Sequence, residues 1–581
     1  MFTVTQQADL VIRNGQVVDG SGKPAFQADI AIQDGRIIAL GTGLAFQGRE
    51  EMDATGQLVT PGFVDIHTHY DGQVTWSNSV TPSSQHGVTT VLMGNCGVGF
   101  APCKPADRQR LVSLMEGVED LPEIVLTTGL PWTWESFPEY LDQLDQREYD
   151  ADIATQIPHA ALRVFAMGER AVTREPATAE DRACMEQLAK QAIDAGALGF
   201  ATSRTINHRA SDGTPIFTLD AAEEELVAIG RALRDSGRGV LQLVSDFSDI
   251  DSELAMLRRV AEQTERPLSV TVMQWHDAPD KWRTVLDWIE NCQRDGLQVK
   301  AQVSGRPVGI LMGFETSFNP FSYTSTFKSL LTLPPAERRQ ALRDPAVRAK
   351  IIEETPEPSD FPGDMLLRSW DLMYPLGEQP DYEPDATQKV SAIAARQGVS
   401  PATCAYDLML EQDGQAVLML PVVNIADGTL NAALSMLRHP HSLYGLGDGG
   451  AHLGFLCDAS LPTHLLTYWA RDRDKGERLT IPEVIKGLTH DTAVAVGLED
   501  RGLLRAGYRA DINIIDFDAL TLLPPRVEYD LPANGRRVHQ SATGYTATLV
   551  NGEVVQRNGR ATGALPGRLV RGPQKPGTDH G

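Results

Sequence analysis

Apolar and polar positions along this chain follow two rhythms, and the rhythms change over near each end. At the start, Asp9-Leu10-Val11-Ile12-Arg13-Asn14-Gly15-Gln16-Val17-Val18 reads as a strand, a hairpin turn at Asn14-Gly15 and a second strand. Ala28-Asp29-Ile30-Ala31-Ile32-Gln33-Asp34-Gly35-Arg36-Ile37-Ile38 repeats the pattern around Asp34-Gly35. Close to the other end, Ala510-Asp511-Ile512-Asn513-Ile514-Ile515-Asp516 and Thr548-Leu549-Val550-Asn551-Gly552-Glu553-Val554-Val555 do the same. Residues 1–60 and 500–567 are therefore expected to close into one small β-sandwich, because two separate pieces would each leave unpaired strand edges. The tail beyond Gly567 is expected to be loose.

Between the ends, strand-like runs alternate with helix-like ones. Val88 to Met93, Ala197 to Thr202, Gly239 to Val244, Leu268 to Met273 and Val299 to Val303 read as strands. The last four each follow an amphipathic run, such as Thr178 to Ala195 or Lys281 to Gln293. This is the α/β pattern of a (β/α)8 TIM-like barrel over residues 61–499, whose functional residues sit at the strand C-terminal ends. Residues 313–415 interrupt it with proline-rich, charged, helix-like sequence, predicting a helical insertion that serves as a lid or an oligomer contact.

Composition narrows the classes. Over 581 residues, 42% are hydrophobic and 22% charged, so a sizeable core is affordable. Lys and Arg number 52 against 77 Asp and Glu, a formal charge of −25, which argues against nucleic acid or an anionic membrane as partner. No apolar run approaches the ~20 residues that cross a bilayer. The start lacks the basic and apolar parts of a signal peptide. Six scattered cysteines do not form a disulfide framework, so a cytoplasmic location is expected. The expected partner is a small molecule, and the long insertion predicts a homo-oligomer.

The chemistry concentrates in Gly62-Phe63-Val64-Asp65-Ile66-His67-Thr68-His69. Side chains at i and i+2 of a strand share a face, so His67 and His69 project together and make half a site for a divalent cation. Cys96 in Gly94-Asn95-Cys96-Gly97 and Asp448 in Gly447-Asp448-Gly449-Gly450 each follow a strand-like run. A strand-end His pair with a thiol and a carboxylate at other strand ends is the donor chemistry of a zinc hydrolase.

These segments, with the terminal β pieces and Gly497-Leu498-Glu499-Asp500-Arg501-Gly502, resemble the amidohydrolase superfamily, and within it the D-aminoacylase (N-acyl-D-amino-acid deacylase) branch. The resemblance covers nearly the whole chain. It implies a metal site at His67, His69, Cys96 and Asp448, with Asp448 also catalytic, and a divalent metal, zinc in that branch, as cofactor. It also implies two further histidines after the fifth and sixth strands. Here the chain departs, with Val244 or Ser245 at the first place and Val272 or Gln274 at the second. Two arrangements follow: one cation at His67, His69 and Asp448 with Cys96 close by, or a displaced histidine such as His276 or His208 completing the set.

Metal-activated water with Asp448 as general base and acid is the mechanism such a site supports. The implied substrate is a small linear amide, above all an N-acyl-D-amino acid. A cyclic amide or lactam is the alternative, and a non-catalytic scaffold that has lost its metal is the alternative of another class. An arginine fork matches a substrate carboxylate, so Arg163, Arg209 and Arg306 are substrate-binding candidates, with His159, His208, His276 and His452 beside them.

Overall fold

A computed structural model describes residues 6–358 and 364–577. Its centre is a barrel of parallel strands: Phe63–Asp65, Val88–Met93, Asp152–Thr155, Gly199–Arg204, Val240–Ser245, Leu268–Thr271, Val299–Val303 and Ser442–Tyr444. Registers such as Val91 with Ile153, Ala201 with Gln242, Leu243 with Val270 and Gln302 with Leu443 run round it. The third and fourth strands join where Leu198 N donates to Thr155 O at 2.9 Å. The last meets the first beyond their ends: Asp448 N donates to His67 O at 2.9 Å, and His69 N to Gly449 O at 2.7 Å. Closure therefore occurs at the segments that carry the histidines and the aspartate.

The strands read as apolar runs because both their faces are covered, outside by helices and inside by the barrel's own side chains. The helix Glu223–Asp235 shows why the outer layer forms. It places Glu223, Glu224 and Glu225 in its first turn, which the helix dipole favours, and buries Leu226, Val227, Ile229 and Leu233. Gly230 lets it press on the next helix, Ile250–Thr264, since a Cβ there would lie 2.2 Å from Thr264 Cγ2.

Both chain ends enter one nine-stranded sheet. Ile512–Ile515 lies between Leu58–Pro61 and Tyr545–Val550, antiparallel to both. The fold is thus a (β/α)8 barrel with a β-sandwich beside it. Its core joins Ile12, Ile30, Ile32 and Val59 from the start of the chain to Ile512, Ile514 and Leu549 from the end.

Two local expectations are corrected. Asn14-Gly15 does not turn the chain; it sits inside the single strand Gln6–Val17, which shifts register between Ile12 and Gly15. Asn14 takes φ 60°, and a Cβ on Gly15 would lie 2.5 Å from Val59 Cγ2, so the pair forms a bulge against the neighbouring strand. Asp34-Gly35 does turn, linking Phe26–Gln33 to Arg36–Gly41. The tail is docked: Gly567 N donates to Tyr149 O at 2.9 Å and Gly572 N to Gly196 O at 2.8 Å.

Two excursions leave the barrel on the site's side. Between the second and third strands lie the helices Arg108–Glu119, Glu123–Gly129 and Phe137–Asp145. Between the seventh and eighth lie Ser325–Leu330, Pro335–Leu342, Pro345–Glu353, Val390–Gln397 and Pro401–Gly414. This second excursion adds an antiparallel sheet of Gly309–Met312, Leu418–Pro421 and Tyr374–Pro375, and a core around Phe314, Phe321, Phe327, Leu342 and Tyr406. Among the described residues no helix is long and apolar enough to cross a membrane.

Candidate metal centre

The first barrel strand ends by delivering two imidazoles inward. Thr68 between them donates its Oγ1 proton to Leu92 O at 2.9 Å, which pins the strand end to its neighbour. His67 and His69 are almost wholly buried, with ring centroids 5.5 Å apart. His67 Nε2 faces Cys96 Sγ at 3.3 Å and Asp448 Oδ1 at 3.4 Å. His69 Nε2 lies 3.7 Å from the same Asp448 oxygen.

Backbone conformation explains the small residues around the donors. Gly94 has φ 83°, and a Cβ on it would lie 2.3 Å from Gln156 O. Cys96 itself is left-handed at φ 53°. Asn95 holds that turn by donating to Leu92 O at 2.8 Å and accepting from Gln156 Nε2 at 2.9 Å. Asp448 is also left-handed, at φ 44°, and a Cβ on the preceding Gly447 would strike Asp65 Oδ2 at 2.2 Å.

The spacing of the donors tests whether a cation fits. Bonds of ~2.0–2.3 Å to N, O and S imply donor–donor edges of about 3.3–3.8 Å in a tetrahedron. The distances of 3.3, 3.4 and 3.7 Å fall in that range. Among the described residues, His67, His69 and Cys96 are the one group of three such donors lying within 4.8 Å of one another. Behind the rings, His67 Nδ1 meets Gln302 Oε1 at 2.7 Å, and His69 Nδ1 lies 3.2 Å from Glu119 Oε1. Both imidazoles thus turn Nε2 to the site, with Nδ1 hydrogen-bonded in His67 and beside a carboxylate in His69, the orientation metal-binding histidines take.

Burial and the groups' mutual charges set the state of each donor. Burial pushes the Asp448 carboxyl up, but the hydrogen bond and the positive charge of His69 outweigh it and keep the group ionised. Burial drives His67 below its ordinary value, leaving a neutral ring. For His69, burial is overcome by Glu119, Asp448 and Cys96, so its proton is held well above the usual range. Burial raises the Cys96 thiol to about 11, so ligation by sulfur requires a cation to displace the proton.

The other residues singled out in the sequence are placed as follows. Val244 and Val272 are buried in the apolar core, so no imidazole stands at either position. His276 is exposed on the loop after the sixth strand. His208 bonds Ser203 Oγ at 2.9 Å; burial, with the charges of His452 and His69, holds it near 3, a neutral ring on the rim of the site. Arg209 donates to Gly213 O at 3.1 Å within its own loop. His452 lies nearer, its Nε2 3.8 Å from Glu119 Oε2.

The expected arginine fork is engaged elsewhere. Arg163 donates to both oxygens of Glu225, at 2.7 and 2.6 Å, and His159 Nε2 meets the same carboxylate at 2.8 Å. Arg306 is spent on Asp458, Ser460 and the Cys457 carbonyl, with its guanidinium 4.6 Å from the Tyr382 ring centre. A buried guanidinium must be neutralised by the nearest carboxylate, and the fold supplies one in each case. Glu225→Ala, which strands Arg163 and His159, is expected to cost about 3–5 kcal/mol of stability. Urea unfolding measures it, and an unchanged midpoint would show that the network carries no load.

Sequence reasoning missed Glu119, Gln302 and Gln242, the last accepting from Cys96 N at 3.3 Å. Nothing near them in the chain marks them as site residues; only the barrel's closure brings them there.

A closed (β/α)8 barrel whose first strand presents two histidines to an aspartate after its last is the framework of a metal-dependent hydrolase. The family model "Amidohydrolase family" matches residues 50–556, most of the chain; the chain belongs to that family and is a hydrolase of C–N amide bonds other than peptide bonds. It is 26% identical over 567 residues to an N-acyl-D-aspartate deacylase of Alcaligenes xylosoxydans xylosoxydans, covering 97% of this chain and 95% of that one. Its fold matches a D-aminoacylase described as having a binuclear metal centre, with TM-score 0.64, 21% identity, and 97% and 100% of the two chains covered. It also matches an N-acyl-D-glutamate deacylase from Bordetella bronchiseptica, complexed with zinc and a phosphonate inhibitor, with TM-score 0.62, 21% identity and the same coverage.

Proposed function

We propose that this protein is a zinc-dependent deacylase of N-acyl-D-amino acids, releasing a carboxylic acid and the free amino acid. The observation that carries the reading is the donor set itself: two imidazoles, a thiol and an ionised carboxylate brought together where the barrel closes, with His67 Nε2 3.3 Å from the thiol and 3.4 Å from the carboxylate and His69 Nε2 3.7 Å from the same carboxylate. His67, His69, Cys96 and Asp448 would hold the cation. When bound, a divalent cation polarises the scissile carbonyl and lowers the pKa of water toward ~7.

Asp448 takes the proton of the attacking water as its oxygen joins the acyl carbon. It returns that proton to the amine nitrogen as the C–N bond breaks. Being ionised, it has a free oxygen lone pair for that proton, and the left-handed backbone at residues 446 and 448 fixes its direction. With Arg163 and Arg306 engaged by acids, the substrate carboxylate falls to His452 and His208 on the rim. The buried valines at 244 and 272 support one tightly held equivalent per chain. A reducing compartment for six free cysteines, and a homo-oligomer joined through the insertion, belong to the same reading.

The test is amine release from a panel of N-acetyl-D- and N-acetyl-L-amino acids by the zinc-loaded protein, with metal content measured alongside. The expected result is turnover of D-substrates at least about tenfold above their L-forms, a difference of ~1.4 kcal/mol in transition-state binding. Hydrolysis of cyclic amides with every N-acyl amino acid untouched would overturn the substrate. Two tightly bound equivalents of zinc would overturn the single site.

A further inference from the structure

The helix Arg108–Glu119, in the excursion after the second barrel strand, ends in two consecutive acids that both point into the protein. Glu119 is 1% exposed. Its Oε1 lies 3.2 Å from His69 Nδ1, and its Oε2 lies 3.8 Å from His452 Nε2. Glu119 Oε2, His69 Nδ1 and His452 Nδ1 are all buried without a hydrogen-bond partner. An acid this deep costs several kcal/mol unless something faces it, and two imidazoles do.

Asp120 turns the other way, through a left-handed backbone at φ 50°. Its Oδ2 accepts from Gly454 N at 2.9 Å and from Ser317 Oγ at 2.7 Å. Ser317 N in turn donates to Gly454 O at 2.7 Å. The packing is tight: a Cβ on Gly454 would lie 1.8 Å from Ser317 Oγ and 2.3 Å from Asp120 Oδ2. One dipeptide therefore touches a metal donor, the loop that follows Asp448 and the base of the large insertion.

We propose that Glu119 and Asp120 form a positioning clamp with divided labour. Glu119 orients His69 toward the cation and His452 toward the substrate, while Asp120 holds the 449–455 loop against the insertion. A carboxylate behind a ligating imidazole fixes its tautomer and ring angle, and its loss costs about 10–100-fold in metal affinity. Asp120 touches no donor, so its loss should spare the metal and loosen the substrate contact. The substrate half of this inference rests on the deacylase reading; the metal half does not.

Glu119→Ala, Glu119→Gln and Asp120→Ala separate the roles, with zinc affinity read by chelator competition and KM and kcat by amine release. Glu119→Ala should weaken zinc about 10–100-fold and raise KM, and Glu119→Gln should recover part of both through its amide carbonyl. Asp120→Ala should keep zinc affinity within about twofold and raise KM severalfold at nearly constant kcat. Unchanged zinc affinity in Glu119→Ala would overturn the proposal. So would an equal loss of zinc in Asp120→Ala, since that is what general loosening of the fold produces. Should Glu119→Ala not fold, a change under about twofold in Glu119→Gln overturns it alone. A panel with no turnover at all sinks the deacylase reading and leaves the zinc comparison standing.

Discussion

His67→Ala is expected to bring hydrolysis down to background while the protein stays folded. His67 Nε2 faces both Cys96 Sγ and Asp448 Oδ1, so its removal takes one corner from the donor set and opens two of its edges. A bound cation contributes several kcal/mol to stabilising charge in the transition state. Losing it therefore lowers kcat/KM on the order of 10³-fold or more. Stability should change far less, because the Nδ1 contact to Gln302 is the main bond lost to the core, and Gln302 keeps its bond to Ser269 at 3.0 Å. Metal content, activity and the urea midpoint, measured on the same preparation, check the three parts. A variant with full zinc and full activity would remove His67 from the site.

Ending the chain after Arg501 is expected to yield insoluble protein. The deletion takes Ile512–Ile515 out of the middle of the nine-stranded sheet and removes Tyr545–Val550 beyond it. Leu58–Pro61, immediately before the first barrel strand, would be left as an open edge. Ile512, Ile514 and Leu549 are each fully buried or nearly so, and each contributes roughly 1.5–3 kcal/mol by burial. Their sum approaches the ~5–15 kcal/mol net stability of a typical domain. The exposed faces of Val59, Ile12 and Ile30 then favour aggregation. Partition between soluble and pelleted lysate measures this, and a soluble truncation that retains zinc would refute it.

How much was legible in advance follows from the range over which each feature is set. Period-two strands, the His67-Thr68-His69 spacing and the tight turns at Gly94-Asn95-Cys96-Gly97 and Gly447-Asp448-Gly449-Gly450 depend on a few adjacent residues. They could be read directly. Asn14-Gly15 was legible as a site of unusual backbone, but whether it turns or bulges depends on Val59, which the local sequence does not reveal. The tail after Gly567 likewise carries no local signal, because its bonds are to Tyr149, Ile153 and Gly196.

The sequence by itself determined the strand–helix alternation, the pairing of the two histidines and the presence of a thiol and a carboxylate with metal-competent chemistry. Only the tertiary structure decided which acceptors stand behind those histidines. Gln302 lies 235 positions from His67, and Glu119 reaches His69 from the end of a helix in a separate excursion. It also decided which arginines were free. Arg163 and Arg306 carry full charges, and a buried charge binds the carboxylate that packing brings nearest, here Glu225 and Asp458. Donor identity is a property of a residue, whereas the partner of a buried charge is a property of the closed barrel.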